Sequence, residues 1–199
     1  TGASASVSLT VTEAAAADGY TAGISAGTAS VNVGDTVYFG IDVLYTGTDS
    51  IAKFAAGKVV LNFDSTYLTF AESASTLNNA EVNVSGNTLT LVDHGEDQSF
   101  ANGVYRLAFA AIKDGATSVT MTSAAFTDKV GAETSDLKPA TLASASAAIA
   151  IQKQRFQIDL PAGDMFKDDN LAIYGEDYIL EIADDGKYYT YESITVTMN

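Results

Sequence analysis

The residues best suited to chemistry in this sequence gather around its single histidine, His94. Asp93 precedes it, and Glu96, Asp97 and Ser99 follow within a few positions. A serine, a histidine and an acid can form a nucleophilic triad, but only if the three side chains converge in space. A polar loop between two strands explains the same residues equally well. Glycoside hydrolysis needs a pair of carboxylates, and no pair stands out in the sequence among the 25 Asp and Glu residues. We therefore predict that the chain is not an enzyme.

Metal chemistry has few possible ligands here. One His cannot build a typical zinc site, and the lack of Cys removes thiolate ligands. Three acidic loops, at residues 93–97, 164–170 and 184–185, could offer oxygens to calcium. None of them has the alternating Asp or Asn, central Gly and closing Glu of an EF-hand loop. Turn formation accounts for these residues as well, and we predict no metal or other cofactor in this chain.

Two other functions have candidate residues. Tyr188, Tyr189 and Tyr191 form an aromatic cluster of the kind that a carbohydrate-binding module presents to sugar rings, although cross-strand packing also uses tyrosine. Lys53 and Lys58 are close in sequence to Asn and Asp residues. Either lysine is a candidate for an intramolecular isopeptide bond of the sort found in adhesin domains. A carbohydrate-binding module and a structural adhesin or stalk domain therefore stay open as alternatives.

The charge of the chain limits its partners. Only ten Lys and Arg residues oppose the acids, which gives a formal net charge of −15. Nucleic acids and anionic membrane surfaces attract basic proteins, so neither is an expected partner. No segment approaches the roughly 20 apolar residues that cross a bilayer, and no membrane insertion is predicted. Acidity keeps a secreted protein soluble, and we expect an extracellular or cell-surface monomer.

The elements that must position any site are short strands. Apolar and polar residues alternate in segments that end at Gly, Asn, Asp or Ser, which is the pattern of half-buried β-strands. These segments lie at residues 5–13, 37–45, 58–63, 67–70, 82–92, 105–109, 119–121 and 147–151. Because each has one apolar face to bury, we predict an all-β, nine-stranded sandwich of two sheets.

Three local expectations accompany this fold. In the hairpin that turns at Gly86, Val82 and Val84 are expected to face the core together with Leu89 and Leu91. Residues 14–28 are small and polar, which predicts a loop. Residues 137–143 follow another polar stretch and could hold a helical turn.

A change of charge pattern marks a domain boundary. The stretch "QKQR" at residues 152–155 is basic and polar in an acidic chain. We therefore predict a β-sandwich at residues 1–152 and a short β-rich module at residues 153–199. Alternation around residues 156–158, 178–182 and 194–198 predicts three strands in this module, which are few for an independent core.

The order of motifs within the predicted sandwich resembles that of cohesin modules. The matching stretches are "VGDTV" at residues 33–37, "GKVVLNFDSTYLTF" at 57–70 and "NGVYRLAFAAIKDGATSVTMTSAAFTD" at 102–128. The resemblance covers roughly residues 31–151. It implies a jelly-roll sandwich that acts as a non-catalytic receptor in cellulosomal scaffoldins or anchoring proteins. Such a module captures a dockerin-bearing enzyme or scaffoldin outside the cell, and the calcium belongs to the dockerin.

Two features depart from the cohesin pattern. Residues 13–30 look like an insertion after the first strand, and the chain has only two Pro residues. The tail, in turn, resembles the start of a small Ig-like repeat of bacterial surface proteins.

The resemblance also implies a docking surface on one sheet face. Outward-facing valines there would form an apolar patch of the kind that marks partner sites. Lys58 and Arg106 would be rare positive charges that orient a partner. Ordinary β-forming valines under a loop or under the tail are the alternative explanation. The expected partner-binding residues are Ala56, Lys58, Val60, Asn62, Asn83, Thr88, Thr90, Val92, Val104 and Arg106.

Overall fold

The computed structural model describes residues 19–46, 53–54, 56–78, 80–94, 98–99, 105–128, 136–158, 180–182 and 188–190. These ranges consist almost entirely of strands. The strands are β1 (Tyr20–Ala26), β2 (Ser30–Asn32), β3 (Thr36–Tyr45), β4 (Lys53–Phe54), β5 (Ala56–Asn62), β6 (Leu68–Phe70), β7 (Ala80–Ser85), β8 (Thr88–Asp93), β9 (Gln98–Ser99), β10 (Tyr105–Ala111), β11 (Gly115–Thr127), β12 (Lys138–Ser144), β13 (Ser146–Gln152), β14 (Phe156–Ile158), β15 (Leu180–Ile182) and β16 (Tyr188–Thr190). A 3-10 turn, Glu72–Ala74, follows β6.

The main body is a curled sheet that folds into two layers. Sheet A has the order β6-β10-β3-β1, and sheet B has the order β2-β13-β11-β5-β8-β7. Strand β12 joins them, because it runs parallel to β1 and antiparallel to β11. The path from β6 through β12 to β7 contains nine strands, with β13 and β2 attached through β11. The all-β jelly-roll sandwich predicted from the sequence is confirmed.

Strict alternation places the core between the layers. In β3 the side chains of Val37, Phe39, Ile41 and Val43 are buried, while their neighbours are partly or fully exposed. The same pattern buries Leu61 of β5 and its neighbours two positions away, as predicted.

An aromatic cluster fills the centre of the core. The ring of Phe109 meets Phe39, Phe63 and Phe70 edge-to-face, with centroid separations of 5.6, 5.2 and 5.4 Å. Edge-to-face contacts of this kind are favourable beyond the area that they bury. This cluster holds β5, β6 and β3 around β10, and it makes the sandwich a rigid support for whatever its outer faces present.

Three local expectations were wrong. Residues 14–28 were predicted as a loop, yet residues 20–26 form β1, which lies between β3 and β12. The insertion expected at residues 13–30 stays a prediction, since residues 13–18 lie outside the described residues. Residues 138–143 belong to β12 and not to a helical turn. Val84 is 45% exposed, because it lies on the edge strand β7 beside the turn at Gly86, where no second layer covers it. The segment predicted as a strand at residues 5–13 lies outside the described residues.

The C-terminal strands form a sheet of their own. Strand β16 pairs with β14 on one side and with β15 on the other. The strands expected around residues 156–158 and 178–182 are present, and the third, at residues 194–198, lies outside the described residues. The domain boundary after residue 152 stays a prediction. Within the described part of the chain, no helix has the length and apolarity to cross a membrane.

Candidate protein-binding face

The outer surface of sheet B is assembled by strand register. Val60 of β5 lies opposite Thr90 of β8, which lies opposite Asn83 of β7. In the next row Lys58 lies opposite Val92, and Val92 lies opposite Glu81. Because neighbouring strands are only about 4.8 Å apart, these rows form one continuous surface, which we call the sheet B face.

Seven of the ten predicted residues belong to the sheet B face. They are Lys58, Val60, Asn62, Asn83, Thr88, Thr90 and Val92. The structure brings them together from three strands that are close in sequence, because the β7–β8 hairpin folds back onto β5. Their role in binding a partner stays a prediction.

The other three predicted residues do not join this surface. Ala56 has the outward register of Lys58, but it is only 2% exposed and lies opposite the buried Thr127. Arg106 lies on β10 and therefore on the outer side of sheet A. The resemblance of its strand to a cohesin motif did not indicate to which layer that strand belongs. Val104 lies outside the described residues.

The sheet B face consists mostly of short side chains. Val60 and Val92 are half-buried, so they add apolar surface without projecting far. Thr88 fixes its neighbour by donating a hydrogen bond from Oγ1 to Asn62 Oδ1 at 3.1 Å. Lys58 and Glu81 carry opposite charges at the two ends of one row. Such a surface lets the backbone of a partner come close and offers hydroxyl and amide groups for hydrogen bonds.

Strand β11 extends the face, and sequence reasoning missed it. Ser123 and Ala125 lie opposite Val60 and Lys58, and a β-bulge shifts the register between Met121 and Ser123. At the bulge, Thr122 Oγ1 donates a hydrogen bond to the carbonyl oxygen of Val60 at 3.1 Å. The signal was present in the sequence, since the buried positions run 119 and 121 and then 124 and 126. A break of this kind in a period of two is the pattern of a bulge.

Of the residues around His94, the structure describes the setting of Asp93, which is engaged inside the core. Asp93 is 1% exposed and accepts a 2.9 Å hydrogen bond from the hydroxyl of Tyr105 inside the core. Burial, aided by the Asp93 carboxylate, raises the pKa of Tyr105 far above its ordinary value. His94, the next residue, is exposed. The side chain of Ser99 lies outside what the structure describes. Glu96 and Asp97 lie outside the described residues.

A Gly-x-Ser-x-Gly sequence at residues 23–27 lacks the setting for catalysis. In hydrolases this motif forms a sharp turn from a strand into a helix. Here Ser25 lies within β1, opposite Gly40 of β3, on the outer side of sheet A. Strand β8, which precedes His94, lies in the other layer.

Metal ligands do not converge in the described part of the chain. Among those residues no group of three or more His, Cys, Asp or Glu side chains could hold an ion. The acidic loops at residues 164–170 and 184–185 and most of the loop at 93–97 lie outside the described residues.

Comparisons with known proteins place the fold. No family model and no curated protein matches the sequence. Among solved structures, the cohesin module of a family 33 glycoside hydrolase from Clostridium perfringens aligns with 12% identity and a TM-score of 0.52, over 69% of this chain and 99% of that one. The OlpC cohesin of Clostridium thermocellum, solved as a type I complex with a dockerin, aligns with 14% identity and a TM-score of 0.50, over 73% and 100% of the two chains.

These alignments define the class of fold to which the sandwich belongs. The main body has the jelly-roll fold of cohesin modules, as the sequence motifs indicated. At 12% to 14% identity the likeness concerns the fold, and function must be argued from the surface itself.

Proposed function

We propose that this chain is a non-catalytic receptor module that captures a calcium-loaded dockerin on the sheet B face. The module would act outside the cell or at its surface, where it would join a dockerin-bearing enzyme or scaffoldin to a larger assembly. The calcium would be carried by the partner. The observation that supports this most directly is the sheet B face itself, a continuous outer surface on a fold shared with cohesins.

The physical character of the face suits protein recognition. Charged side chains are few at its centre, where Val60, Thr90 and Asn83 form one row. Depletion of charge at the core of an interface and polar groups around it are typical of specific complexes. Lys58 adds a positive charge in a chain of net charge −15, so it can orient an acidic partner. The aromatic cluster between the layers supports the sheet from inside, and a preorganised surface loses less entropy on binding.

The test is titration calorimetry of the full chain against a panel of dockerins, with calcium and with a chelator. We expect one-to-one binding to a dockerin in calcium and loss of binding in chelator. Val60→Glu and Lys58→Glu should weaken that binding about tenfold or more, because both sit within the sheet B face. Thr69→Glu is the matched control, since Thr69 is exposed on β6 at the other layer. The failure of every dockerin class to bind would refute the proposal.

A further inference from the structure

The outer side of sheet A carries an arginine that is held ready for a ligand. The guanidinium of Arg106 lies over the ring of Tyr38, with Cζ 3.6 Å from the ring centroid. Within the described ranges, no carboxylate is found paired with this guanidinium. A cation stacked on an aromatic ring keeps its N–H edges free for hydrogen bonds in the plane. Arg106 is therefore available to an anionic group from outside the chain.

The backbone holds Arg106 in place from both sides. On one side it lies opposite Gly40 of β3. On the other side its N–H donates to the carbonyl of Thr76 at 3.0 Å, and the N–H of Thr76 donates back at 2.7 Å. The backbone pairing fixes where the side chain starts, and the stacked ring restricts its rotamers, so less rotamer freedom is left to lose on binding. Preorganisation of this kind raises affinity without adding contacts.

A depression of about 450 Å³ opens beside the guanidinium. Its floor is Gly40, which lies in one row between Ser25 and Arg106 and has no side chain to fill the space. Ser25, Thr28 and Thr36 are among the lining residues. The Thr28 hydroxyl donates a 3.0 Å hydrogen bond to the carbonyl oxygen of Ser30, which leaves the hydroxyl groups of Ser25 and Thr36 for a ligand. Small-molecule pockets have volumes of about 300–1,000 Å³, so the depression suits a ligand of one or two sugar rings.

We propose that this depression binds a sugar acid, with its carboxylate on Arg106 and its hydroxyl groups on Ser25 and Thr36. Arginine and a carboxylate form two parallel charge-assisted hydrogen bonds, which fixes both position and orientation. The net charge of −15 repels polyanions more strongly than singly charged ligands. Charge thus favours a ligand with one carboxylate over an acidic polypeptide, and the hydroxyl-bearing lining residues favour a sugar. This site lies on the layer opposite the sheet B face, so one chain could hold a protein and a glycan at once.

Amide NMR of the full chain tests the proposal with galacturonate and galactose, which differ at one carboxylate. We expect galacturonate to shift the amides of Gly27, Gly40 and Arg106, and galactose to leave them in place. Arg106→Gln should weaken galacturonate binding about tenfold or more. Lys138→Gln removes an exposed positive charge elsewhere, on β12, and should leave the binding unchanged.

A second variant blocks the floor of the depression. A Cβ at Gly40 would lie 3.5 Å from Ser25 Oγ, an ordinary van der Waals distance, so Gly40→Ala should fold and yet obstruct the ligand. We expect it to weaken galacturonate binding while Arg106 and Tyr38 stay intact.

Four outcomes would overturn the assignment. Equal shifts with galactose would remove the role of the carboxylate, and equal shifts with acetate would remove the sugar. Tighter binding of a glutamate peptide would make the ligand a protein segment. No shift with any probe would refute the site. Arg106→Gln should retain dockerin binding, so the result is independent of the proposed receptor function.

Discussion

Tyr105 and Asp93 connect the two layers of the sandwich through a buried hydrogen bond. The phenol of Tyr105, on β10 of sheet A, donates to the Asp93 carboxylate, on β8 of sheet B, at 2.9 Å. Both residues are 1% exposed. A polar contact inside an apolar core requires a matched partner, because an unsatisfied buried group costs free energy. The pair therefore specifies how the layers face each other at this end of the core.

Tyr105→Phe tests the contribution of this bond. The substitution keeps the ring and removes the donor, so the carboxylate loses a buried partner. We expect the free energy of unfolding to fall by about 1–3 kcal/mol, measured by urea denaturation. Tyr38→Phe is the control, since its ring stacks on Arg106 at the surface, and it should change the value by less than about 0.5 kcal/mol. Equal effects of the two substitutions would show that the bond contributes nothing.

Alkaline pH should destabilise the fold through buried tyrosines. Burial, with the Asp128 and Tyr45 charges beside it, raises the pKa of Tyr20 to about 12, and the pKa of Tyr105 is raised further still. Unfolded tyrosines titrate near pH 10, so above that pH the unfolded chain binds fewer protons than the folded one. The stabilisation is complete below about pH 10 and is lost as pH rises towards the folded values.

Denaturation at about pH 8, 10 and 11 measures this loss. The free energy of unfolding should decline above about pH 10 and decline less steeply in Tyr105→Phe and in Tyr20→Phe. Parallel slopes in the unmodified chain and both variants would contradict the assignment to these tyrosines.

Most of the sandwich could be predicted because alternation is a local signal. Val37 to Val43 bury every second residue, and a period of two can be read without knowledge of the neighbouring strands. Tyr105, Leu107 and Phe109 follow the same period, although Ala108 between them is buried too. Strand β1 was missed because "YTAGISA" contains small and polar residues, and its place between β3 and β12 follows from tertiary pairing. Propensity gives way to such pairing in central strands.

The residues of the sheet B face could be predicted only on the β7–β8 hairpin and on the adjacent strand β5. Lys58, Thr90 and Asn83 could be placed together since β5, β7 and β8 share one apolar-in pattern. Arg106 could not be assigned to a layer, because its strand alternates in the same way in either sheet. Ala56 has the correct register, but burial at the end of a strand depends on what covers it. Register predicts the side of a sheet on which a residue lies and not the sheet itself.

Gly115 should be intolerant of a side chain. Its φ is +142°, and a Cβ there would lie 2.7 Å from Cε1 of Tyr67. We expect Gly115→Ala to lower the free energy of unfolding by about 1–3 kcal/mol. Gly34→Ala is the control, because Gly34 has a φ of +93° and open space around it, and strain alone should cost it about 1 kcal/mol. In a Tyr67→Ala background, Gly115→Ala and Gly34→Ala should lower the free energy of unfolding by similar amounts. If the difference between their effects were unchanged in that background, the contact with Tyr67 would be excluded as its cause.

Thr90→Arg tests whether the centre of the sheet B face is the contact surface for a dockerin. Thr90 lies between Val60 and Asn83, so a long charged side chain there would hold a partner away from the whole row. We expect the affinity for the dockerin bound by the unmodified chain to fall about a hundredfold, with the unfolding free energy changed by less than about 0.5 kcal/mol. Thr141→Arg, at an exposed position of β12, should bind as the unmodified chain does. Equal loss in both variants would point to charge in general, and unaltered binding by Thr90→Arg would place the dockerin on another surface.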